Sequence, residues 1–78
     1  VTLECSNDKA GIIIDRFGKD IPMIRIDEEH FRTKIKVAVS RQFFAWVISL
    51  GSGVKIVDPE DVVEEIRVEI RRLHEQYL

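Results

Sequence analysis

The stretch "VSRQFFAWVISLGSGVKIVDPEDVV", residues 39–63, decides how this chain folds. Of the ten residues from Arg41 to Leu50, six are large and apolar. Ser40 stands at the cap position before them and Gly51 at the stop, so the run reads as a helix. "VKIV" (54–57) is a short strand. Asp58 then occupies a cap position, Pro59 the first helical position, and acids fill the first turn, which predicts a last helix running to the end of the chain.

Working outward from that core, "VTLECS" (1–6) alternates: Val1, Leu3 and Cys5 on one face, Thr2 and Glu4 on the other. This is the pattern of a half-buried strand. In "SNDKAGIIIDRFG" (6–18), Ser6 or Asn7 suits a helix cap, Ala10, Ile13, Ile14 and Phe17 share one face, and Gly18 supplies a left-handed close. "IPMIRID" (21–27) places Ile24 and Ile26 on one face and Met23 and Arg25 on the other, with Pro22 at a strand start or edge. After an "EEH" turn, "FRTKIKVAVS" (31–40) sets Phe31, Thr33, Ile35, Val37 and Val39 against Arg32, Lys34, Lys36 and Ala38. The two strands make a hairpin. The first six elements spell βαββαβ. The fold class is therefore α+β and ferredoxin-like, a four-stranded antiparallel sheet with helices on one face plus an extra C-terminal helix.

With 78 residues there is room for one domain, spanning 1–78. Apolar residues make up 45% and charged residues 33%, and the net charge of −2 provides no overall basic field for nucleic acid. Cys5 is the single cysteine, which excludes an internal disulfide and a multi-cysteine metal site and fits a cytoplasmic protein. No apolar run reaches the roughly 20 residues that span a bilayer, so no membrane partner is expected. Val1 already fits a strand, as expected for a piece of a longer protein.

The 41–50 helix carries more apolar surface than one sheet contact needs. At 100° per residue, Phe43, Val47 and Leu50 group together with Trp46 at their flank. Phe44 and Ile48 lie further round, and leaving each in water forfeits roughly 1.5–3 kcal/mol. The last helix offers a matching stripe of Val62, Val63, Ile66, Ile70, Leu73 and Tyr77, in alternating steps of three and four from Val63. A helix of about 20 residues is about 30 Å long and a six-residue strand about 20 Å, so the helix overhangs its sheet. Two readings stand: the stripe closes onto Phe44 and Ile48 within the chain, or it packs on a second copy or a neighbouring domain. Candidate interface residues are Phe44, Ile48, Ile70, Leu73, Tyr77 and Leu78.

The outward sheet face is expected to gather Arg25, Arg32, Lys34, Lys36 and Lys55, beside Thr2 and Glu4, as a candidate anion-binding face. It holds no aromatic residue on which bases could stack, unlike RNA-binding sheets of this topology. "GSG" (51–53) follows a helix rather than opening one, so it reads as a cap and turn and not a phosphate loop. His30 and His74 have no partners at metal-ligand spacing, and no metal or cofactor is expected. Cys5 points inward without an activating neighbour. The expectation is a protein that is not an enzyme.

Three blocks together, "IDRFGKD" (14–20), "KIKVAVSRQFFAWVISLGSGVKIVDPEDV" (34–62) and the terminal "LHEQYL" (73–78), resemble the C-terminal part of WYL-domain bacterial transcriptional regulators. The resemblance implies a ferredoxin-like extension domain following a DNA-binding helix-turn-helix domain and an Sm-like barrel. DNA would then be contacted only through the missing N-terminal domain. No Trp-Tyr-Leu tripeptide is present, so the ligand residues of the barrel do not transfer. The implied role is dimerisation, or contact with upstream domains, and the coupling of a sensed signal to DNA binding. An alternative is a stand-alone small-molecule-binding module of the ACT type, which requires a polar pocket between helix and strand. Acylphosphatases share the fold, but no arginine-bearing glycine-rich loop precedes the first helix here.

Overall fold

Leu3 and Cys5 are completely buried, and the strand that carries them, β1 (Thr2–Ser6), lies inside the sheet. The computed structural model describes all 78 residues. After β1 come α1 (Ala10–Phe17), β2 (Met23–Arg25), β3 (His30–Lys34), α2 (Arg41–Ser49), β4 (Val54–Asp58) and α3 (Glu60–Gln76). The sheet order is β2-β3-β1-β4, every pair antiparallel. This is the expected ferredoxin-like arrangement with an added helix.

The core follows from period two in the strands. Leu3 lies opposite Thr33 of β3 and Ile56 of β4, and Cys5 opposite Phe31 and Val54. All six point to one face and are buried. Ile13 of α1 and Phe43, Phe44 and Val47 of α2 cover that face. Ser40 caps α2, its Oγ accepting from the Phe43 N–H at 3.1 Å. Such a cap stabilises a helix by about 1 kcal/mol. Trp46 flanks the core, edge-on to Phe17 at 5.5 Å between ring centroids, with the Arg16 guanidinium 5.0 Å above its ring. Gly18 and Gly51 close α1 and α2 with φ of 92° and 73°, a backbone region that favours glycine.

Four local expectations are corrected. A 3₁₀ turn, Asn7–Lys9, precedes α1, so regular helix begins only at Ala10. β3 stops at Lys34 rather than running to Val39. The Ile35 N–H still reaches the Val1 carbonyl at 2.9 Å, but beyond it β1 and β2 offer no strand to pair with. Asp58 belongs to β4, and Pro59 rather than Asp58 takes the cap position of α3.

The fourth correction concerns Phe44. It is 6% exposed and belongs to the same core cluster as Val62 and Ile66 of α3. α3 packs along β4 at the sheet edge, so the broad apolar arc of α2 meets two neighbours of its own chain, the sheet and α3. Thr33 is the one polar residue in the core. It is 2% exposed, and its Oγ1 has no hydrogen-bond partner.

Candidate functional site

Two surfaces collect the candidate residues. On the helix-free face of the sheet, the register sets Glu4 opposite Arg32 and Lys55, and Thr2 opposite Lys34. The Glu4 carboxylate lies 3.2 Å from Arg32 Nη2 and 3.5 Å from Lys55 Nζ. One acid thus holds two of the expected cations. Lys34 and Lys36 form no ion pair.

Arg25 is not on this face. It pairs with Phe31, which places it on the helix side of β2, where its Nε donates to the Asp27 carbonyl at 3.1 Å. Lys36 lies beyond the end of β3, where it lines one recess with Phe17 and Asp20 and another with Thr2, Lys34 and Asp58 of the outward face. Of the five expected cations, Arg32, Lys34 and Lys55 sit on strands of that face, Lys36 adjoins it, and Arg25 is turned away from it. Sequence reading missed the residue that takes Arg25's place. Ile24 lies opposite Arg32, so it faces outward and is 67% exposed. The inward and outward faces of β2 are thus the reverse of those expected, the same reversal that a one-residue slip in pairing produces.

A trough of about 520 Å³ crosses the outward face at the end marked by Lys34. Thr2 and Lys34 lie within it, with Ile24 and Pro22 on one side and Val57 and Asp58 on the other. Val57 faces this wall by the alternation of β4, and an irregularity brings Asp58 beside it: Leu3 pairs with Ile56 and Thr2 with Asp58, so one extra residue fits between them. No alternation signal in "VKIVD" marks that bulge.

The second surface is the flank of α3. Val62 and Ile66 are buried. Ile70 and Leu73 are exposed, and Tyr77 and Leu78 are 84% and 88% exposed. Ile48 of α2, also exposed, joins Ile66 and Ile70 along an apolar groove of about 400 Å³ between α2, β4 and α3. Arg67 and Lys55 stand among the groove's lining residues. Of the six candidate interface residues, the structure brings Ile48 and Ile70 together, extends the stripe through Leu73 to Tyr77 and Leu78, and removes Phe44 to the core.

The remaining titratable groups do not form a reactive cluster. Burial, and secondarily the Glu4 charge, push the Cys5 thiol up to about 11, so it stays protonated. His30 Nδ1 lies 2.9 Å from Asp27 Oδ1. The Glu29 N–H and then His30 hold the Asp27 carboxyl below its ordinary value. No group of three or more histidine, cysteine or acidic side chains converges as a metal site. No helix is long and apolar enough to cross a membrane.

No curated protein and no solved structure matches the chain. A family model does: the WCX domain model matches residues 1–74, nearly the whole of the fold just described. The chain belongs to the WCX domain family, the C-terminal domain of WYL-type regulators.

Proposed function

We propose that this chain is a non-enzymatic regulatory and dimerisation domain of a WYL-type helix-turn-helix transcription factor, coupling a sensed signal to DNA binding by upstream domains. One observation carries the reading. The apolar stripe of α3 is buried at Val62 and Ile66 and then continues, uncovered, through Ile70, Leu73 and Tyr77. The helix runs for 17 residues, about 26 Å at 1.5 Å per residue, against a strand of five residues, about 17 Å. It outruns its own sheet, and the longest dimension of the molecule is 38 Å against 24 and 22 Å for the others. An apolar flank on a projecting helix is a lever. Whatever covers it in the assembled regulator feels the position of the whole domain. A signal then acts by favouring one docked arrangement over another, and its effect is limited to its difference in affinity between the two.

Hydrogen exchange tests this. In the intact regulator the amides of residues 70–76 are expected to exchange more slowly than in the domain alone. Ile70→Asp with Leu73→Asp should abolish that protection while leaving DNA binding by the upstream domain in place. Equal exchange in the two contexts contradicts the reading.

A further inference from the structure

One row of residues on the helix-free face crosses three strands: Lys34 of β3 lies opposite Thr2 of β1, and Thr2 lies opposite Asp58 of β4. Two inter-strand steps of about 4.8 Å set the backbones of Lys34 and Asp58 about 10 Å apart. Asp58 reaches this row only through the bulge in β4. By strict alternation it would share the parity of Ile56 and turn to the core. The extra residue brings it opposite Thr2 instead, onto the wall of the outward trough. An ammonium and a carboxylate thus line one recess of about 520 Å³, and neither is paired, with the other or with any other charge. The neighbouring row differs, because Glu4 already holds Arg32 and Lys55. Beside the two unpaired charges stand Ile24, which is 67% exposed, Pro22 and Val57. The recess has the size of a small-molecule site, for which about 300–1,000 Å³ is usual.

We propose that this trough binds a zwitterion with an apolar tail, a free α-amino acid of about the size of leucine. Its carboxylate accepts from Lys34 Nζ and from the Thr2 hydroxyl, its α-ammonium donates to the Asp58 carboxylate, and its side chain covers Ile24 and Pro22. The charges select this class. A simple carboxylic acid would leave Asp58 unpaired beside a second negative charge. An amine would do the same to Lys34. A nucleic-acid backbone would meet Glu4 and Asp58 on the same face. One zwitterion satisfies both unpaired groups and removes the apolar surface of Ile24 from water. The trough is open on one side, so affinity on the order of millimolar is expected. The site goes beyond the coupling role proposed for α3 and does not rest on it, since it needs only the fold of this chain.

Amide chemical shifts of the 78-residue chain, followed during titration, test the site. L-leucine should shift Thr2, Lys34 and Asp58 saturably at millimolar concentration. Its two halves, 4-methylpentanoate without the ammonium and isopentylamine without the carboxylate, should each bind roughly tenfold more weakly. Asp58→Asn should weaken L-leucine roughly tenfold and leave 4-methylpentanoate unchanged. Lys34→Met, a change at an exposed side chain, should weaken both ligands. Lys55→Met, on the same face but paired with Glu4, should weaken neither. Ile24→Ser should weaken L-leucine and leave glycine, which has both charges and no tail, as it was. Equal binding of 4-methylpentanoate and L-leucine overturns the proposal and makes the trough a plain anion site. Shifts produced by a short single-stranded oligonucleotide but not by L-leucine overturn it too. So does the absence of any saturable shift with L-leucine up to about 50 mM, well above the expected affinity.

Discussion

The two edges of this sheet are built to opposite rules. β4 is apolar on its core side at Val54 and Ile56 and is flanked by α3, which closes over it with Val62 and Ile66. β2 is shorter, carries Ile24 outward at the free margin, and has no element beside it. α3 packs beside β4 and adds Val62 and Ile66 to the core on that side. An edge left bare and apolar stays open to contact. The asymmetry separates stability from binding. The β4 side holds the fold together, and the β2 side is available to something else.

The sharpest way to break this contrast is to truncate a side chain on each side. Phe44→Ala and Ile66→Ala, on the closed side, should each lower unfolding free energy by about 2–5 kcal/mol, because each opens a cavity in the core. Ile24→Ala should change it by less than about 0.5 kcal/mol, as a surface substitution does. Denaturant melts of the three variants settle the matter, and comparable losses would mean that β2 is also part of the stabilising core. Next in size is a pH effect from the same side. Cys5 lies opposite Val54 of β4, and its ordinary value of 9.0 is raised to about 11. Between those limits the native thiol keeps its proton and the unfolded one releases it. Stability is therefore full below about pH 9 and falls as pH rises toward 11, by about 2–3 kcal/mol in all. Melting at stepped alkaline pH checks this, and a Cys5→Ala variant should lack that slope.

Smaller effects belong to the bare side. Thr33 lies opposite Met23 of β2 and buries a hydroxyl with no partner. Thr33→Val should raise stability by about 1 kcal/mol, since an unsatisfied buried hydroxyl costs about 1–3 kcal/mol and the shape is nearly kept. A lower melting temperature for that variant would show that the hydroxyl is satisfied after all. Smallest of all, Tyr77→Asp at the projecting end of α3 should leave the melt of the lone domain within about 0.5 kcal/mol.

Legibility followed the strength of the local signal. Ser40, Gly51 and the acids of "PED" mark helix ends through bonds made to near neighbours, and α2 and α3 lie where those residues place them to within a residue or two. "VTLECS" alternates cleanly and forms β1. The candidate surfaces were less legible. Arg32, Lys34 and Lys55 share a face because each sits on a strand paired, directly or through β1, with Glu4 or Thr2. Arg25 and Ile24 exchanged roles because "IPMIRID" is apolar at Ile21, Met23, Ile24 and Ile26 alike. Such a segment fits the sheet in either register, and only the partner strand chooses.

Residues near one another in the chain determined the element order, the caps and the buried alternation of β1, since those depend on backbone bonds and side-chain spacing within a few positions. The tertiary structure alone decided that Phe44 is sheltered by α3, that β3 stops where its neighbours stop, and that Ile24 faces water. Each of these depends on which distant strand or helix arrives alongside, and no local period in the chain encodes that arrival.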